Sequence, residues 1–145
     1  MKKLTLFTFV LGLFLSTAAV AQISDPHTAF KKHINEVVQQ VEQTESAEEK
    51  RALLNNSLTD LVETIEQVEN KENVPAEDKA QLAAFKKDLM DKKAELNGDA
   101  GFTQVPANQL NNFANFVQQD IEQADRVVTL SLTSALLIVL ILLLL

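Results

Sequence analysis

A chain of 145 residues with 20 acidic and 13 basic side chains, a formal net charge of −7 and no cysteine has room for one modest domain. The acid excess argues against nucleic acid and anionic lipid as main partners, because both select for basic patches. Without cysteine there are no disulfides, no thiol catalysis and no haem attached through Cys-x-x-Cys-His, so stability rests on helix packing or on association.

The amino end reads MKKLTLFTFVLGLFLSTAAVAQ: Lys2 and Lys3, an apolar run from Leu4 to Leu15, then small residues. Ala19-Val20-Ala21 fits the small-x-small pattern of signal peptidase, which predicts a secretory signal over residues 1–21. Ala19, Ala21 and Gln22 mark the cleavage site. An uncleaved signal anchor is the alternative, since Leu4 to Ala21 is nearly long enough to span a bilayer. Loss of residues 1–21 removes Lys2 and Lys3 and no acid, leaving 11 basic against 20 acidic groups, a net charge of −9.

Asp25-Pro26 suits an N-cap followed by the first helical position. Phe30, Ile34, Val37 and Val41 then recur on one stripe, which predicts a first helix near residues 25–44. Ser46-Ala47-Glu48-Glu49 is a capping-box pattern and opens a second helix after a tight turn. Its apolar residues Leu54, Leu58, Leu61, Ile65 and Val68 alternate spacings of four and three. That seam either packs within a bundle or pairs between chains.

Pro75 with Glu77 and Asp78 starts a third helix, acids facing the positive end of its dipole. Leu82, Phe85, Leu89 and Leu96 are its stripe, and Asn97-Gly98 ends it. After a loop to Val105, Pro106 begins a fourth helix with the stripe Leu110, Phe113, Val117, Ile121, Ala124 and Val128. Its many asparagines and glutamines predict an exposed, uncharged face.

No glycine or proline follows Pro106, so residues 106–145 read as one helix about 60 Å long at about 1.5 Å per residue. Its second half is apolar all round, which calls for a large core or a membrane. Val127 to Leu145 is 19 residues, about 28 Å of helix against a hydrocarbon layer of about 30 Å. This predicts a C-terminal transmembrane anchor over residues 127–145, with Arg126 at the near interface. Export of the amino end would put residues 22–126 outside the cytoplasm, although no trailing lysine or arginine supports that orientation.

Chemistry is sparse. His27 and His33 are six residues apart and point in different directions from one helix, and the Glu-x-x-His motif of di-iron bundles is absent. Met90, the one methionine left after cleavage, reads as a gap-filler in a helix interface rather than a haem ligand. Ser46, Ser57, Ser131 and Ser134 have no histidine placed beside them by any motif. The sequence therefore predicts no catalytic, cofactor-binding or metal-binding residues.

Lys86, Lys87, Lys92 and Lys93 are placed to offset the acids of the second helix. The expected molecule is all-α: a small antiparallel bundle of about four helices, the last continuing into a transmembrane helix. Its expected role is structural or interactive, at a membrane and outside the cytoplasm, with a second copy or another protein as partner. The competing expectation is a soluble exported four-helix bundle that binds a small ligand or haem after removal of the tail.

Overall fold

A computed structural model describes residues 26–124, 131–142 and 144; of these, the side chains of residues 26–30, 124, 132, 133 and 136 are left aside. The predicted signal, including Ala19, Ala21 and Gln22, and the predicted interface residue Arg126 lie outside the described residues. Among the described residues five α-helices form the fold: α1 (Pro26–Gln43), α2 (Ala47–Glu69), α3 (Ala76–Asn97), α4 (Leu110–Ala124) and α5 (Leu132–Leu142). A 3₁₀ turn, Ala107–Gln109, leads into α4.

Local chemistry sets the boundaries. Ser46 caps α2 by accepting the amide of Glu49 at 3.3 Å, which satisfies one of the free donors at that helix start. At the same end of the bundle, Gly98 closes α3 with φ 76°, and Asp99 donates its amide to Ala94 at 2.8 Å. Glycine is required there twice over. The left-handed φ disfavours a side chain, and an added Cβ would lie 2.9 Å from the backbone nitrogen of Gln104.

Helix α2 is the centre of the fold and packs against α1, α3, α4 and α5; α1 also meets α4 and α5. Its seam of Leu54, Leu58, Leu61, Ile65 and Val68 is buried throughout. The same core takes in Ile34, Val38 and Val41 of α1, Leu82, Phe85, Leu89 and Leu96 of α3, and Leu110, Phe113, Val117 and Ile121 of α4. The seam is packed against the chain's own helices.

The long final helix read from the sequence is replaced by two. Ser131 is not helical, and α5 returns to the bundle against α1 and α2. An aliphatic helix gains from burying any of its faces, and this small domain has a groove to receive it. Among the described residues no helix is long and apolar enough to cross a membrane. The 11 residues of α5 rise about 16 Å, roughly half of a hydrocarbon layer.

Asn112 and Gln119 of α4 are exposed as expected, whereas other amides of this helix reach its neighbours. Asn111 accepts from Lys50 at 2.6 Å, Asn115 donates to Glu42 at 3.3 Å, and Gln118 donates to Asn35, so the amides of α4 tie it to α1 and α2. Amide groups supply both donors and acceptors, which suits them to bridge neighbouring helices as well as to face water. Met90 is 53% exposed instead of filling an interface.

Candidate functional site

The C-terminal helix and its seat form the most distinctive site. Along α5, Ser134, Ala135, Ile138 and Val139 are buried on one face, while Leu140 is 56% exposed on the other. Leu144, one turn beyond, is 79% exposed, and Leu137, Ile141 and Leu142 lie partly buried against the core. The covered face is aliphatic apart from Ser134, and Leu140 stands outside that cover.

Asp78 anchors the start of this helix. It sits in the first turn of α3 and is only 5% exposed. Its Oδ2 accepts the Ser131 amide at 3.1 Å, the Ser131 hydroxyl at 2.5 Å and the Ser134 hydroxyl at 2.6 Å. Ser131 immediately precedes α5, so its amide is one of the donors that a helix start leaves without an internal partner. The carboxylate also faces the positive end of the α5 dipole. Burial pushes the Asp78 pKa up, but the hydrogen bonds from Ser131 and Ser134 outweigh it and hold the carboxyl below the usual aspartate value.

Comparison with family models, with curated proteins and with solved structures found no match. Function must be read from the geometry alone.

A second polar contact was not legible in the sequence. Ser57 of α2 lies 3.3 Å from Nε2 of His33 on α1, so a histidine does stand beside one of the four serines. Burial lowers the His33 pKa, and the nearby charges of Asp60 and Glu36 only partly offset this. The neutral ring is thus favoured. Ser57 is buried between helices, and the pair acts as a link across the α1–α2 interface. The other serines have structural partners: Ser46 caps α2, and Ser131 and Ser134 meet Asp78.

Cations hold the remaining helices. Arg51 donates from one guanidinium nitrogen to the carbonyl of Leu96 at the end of α3, and from another to the carbonyl of Val105 at 2.6 Å. Lys86 bridges α3 to α2 through Glu69 at 2.5 Å and Glu66 at 3.7 Å. Lys92 pairs with Asp120 of α4 at 3.4 Å and lies 4.1 Å from the centre of the Phe116 ring. Phe113, on the stripe of α4, is buried, and Phe116, off that stripe, is exposed.

Between α3 and α4 is a cleft of about 270 Å³, with Phe85, Leu89, Val117 and Ile121 on its floor and Lys92 and Asp120 beside them. Among the described residues no three histidine or acidic side chains gather as metal ligands would.

Proposed function

We propose that this protein is an exported, non-catalytic helical module that works at a membrane surface and reaches it through α5. The observation that carries the reading is the apolar outer side of this segment, where Leu140 of α5 and Leu144 just beyond it stand exposed and α5 has no charged residue. Protein interfaces concentrate their binding energy in tryptophan, tyrosine and arginine, with leucine under-represented. Exposed leucine is better matched to hydrocarbon. The net charge of −7 favours zwitterionic over anionic lipid.

Two forms of the tail follow from its length. Folded against α1 and α2, α5 presents its outer face to the surface of a bilayer without crossing it. The transmembrane helix read from Val127–Leu145 is the form proposed for the same segment once it has left the bundle, where about 28 Å of helix approaches the hydrocarbon thickness. Export rests on the amino-terminal pattern of Lys2, Lys3, the apolar run and Ala19-Val20-Ala21.

Vesicle flotation tests the reading, and Leu140→Arg is its control. Leu140 is exposed, so the substitution leaves the core untouched while placing a charge on the face proposed to meet lipid. Binding that survives this change would remove α5 from the account. The soluble-binder alternative has two supporting observations, the α3–α4 cleft of about 270 Å³ and an open hollow of about 480 Å³ lined by Gln40, Thr44 and Leu53 at the α1–α2 turn. The second falls within the roughly 300–1,000 Å³ of ordinary ligand pockets, but neither lining has a histidine or methionine to ligate haem.

A further inference from the structure

We infer that α5 is a releasable helix and that Asp78 is the latch holding it in its seat. The inference rests on the membrane reading above, to which it adds a control point. Three hydrogen bonds from the start of α5 converge on a single buried carboxylate oxygen, Asp78 Oδ2. The carboxylate supplies at once an acceptor for the Ser131 amide, an acceptor for two hydroxyls, and a negative charge at the positive end of the helix.

The rest of the bundle does not depend on this contact. Lys86–Glu69 and Asn97–Asn55 join α2 to α3, Arg51 holds the end of α3 to Val105, and Gln118–Asn35 joins α4 to α1. None of these side chains belongs to α5, so the four preceding helices keep their ties when it leaves. The helix itself is suited to leaving. Lipid replaces the core on its inner face as well as bathing its outer face, and the Ser134 hydroxyl, freed from Asp78, bonds back to its own helix.

The test exploits the absence of native cysteine. A single cysteine replaces buried Val139 on α5, and in a separate protein buried Val105, which follows α3 at the end of the bundle away from Asp78. Maleimide labelling of the full chain then reads the opening of each site. Without lipid, Asp78→Ala is expected to speed labelling at position 139 by about tenfold or more and to leave position 105 unchanged. Asp78→Asn, which keeps an acceptor and loses the charge, is expected to fall between. With phosphatidylcholine vesicles, the Asp78→Ala protein floats to a larger extent than the unaltered chain.

Equal labelling at position 139 with and without Asp78 overturns the latch. So does parallel acceleration at both positions, which would make Asp78 a general support of the fold. Selective acceleration at position 139 without flotation of either protein keeps the latch and overturns the membrane reading.

Discussion

The Ser134 hydroxyl, on the buried face of α5, donates to the Asp78 carboxylate at 2.6 Å across 56 residues of sequence. This contact joins the first turn of α3 to the first turn of α5 and fixes where the apolar tail begins its return to the bundle. Asp78 carries a folded-state pKa below its ordinary value, so it contributes stability that is fully present above about pH 4 and is lost as pH falls through the lower, folded value. The stability difference between the unaltered protein and Asp78→Asn is therefore expected to stay constant from about pH 5 to 8 and to shrink below about pH 4. Urea titrations followed by far-ultraviolet circular dichroism measure it; the chain has no tryptophan to follow by fluorescence.

His33 acts in the same direction at a higher pH. Its folded pKa is depressed, so between that value and the ordinary histidine pKa near 6.5 the unfolded chain binds the proton and the folded chain resists it. Stability is expected to decline as pH falls below about 6.5. Replacing His33 with Gln keeps a hydrogen-bonding partner for Ser57 and should remove its share of that decline below about pH 6.5. An unaltered slope in that variant would assign the transition to another group.

Much of this fold was legible because its punctuation is local. Ser46 and Glu49 sit three residues apart and make the cap they promise, and Gly98 takes the left-handed position after Asn97. The stripe Leu54 to Val68 became the core because its period belongs to the helix itself. The return at Ser131 had no such mark. No glycine or proline signals it, and its partner lies 53 residues earlier in the chain. The same holds for Ser57 and His33, 24 residues apart, and for the amides of α4, whose partners on α1 and α2 are set by packing and not by spacing.

Arg51 offers a test of the end of the bundle away from Asp78. Its guanidinium serves carbonyls on two segments, Leu96 and Val105, which a lysine ammonium cannot span in the same fork geometry. Arg51→Ala is expected to lower stability by about 2–3 kcal/mol, because two carbonyls lose a charged donor and the side chain loses its packing. Arg51→Lys should recover less than half of that. The midpoint of urea unfolding, with its slope unchanged, is the measure.

The central claim is that the outer face of α5 meets lipid, and flotation of the intact protein with phosphatidylcholine vesicles tests it most directly. The unaltered chain is expected to rise with the vesicles, and Leu140→Arg to remain below with its helix content unchanged, since it puts a charge on the face proposed to enter hydrocarbon. An unaltered chain that stays at the bottom of the gradient, or a Leu140→Arg protein that floats equally well, would contradict it.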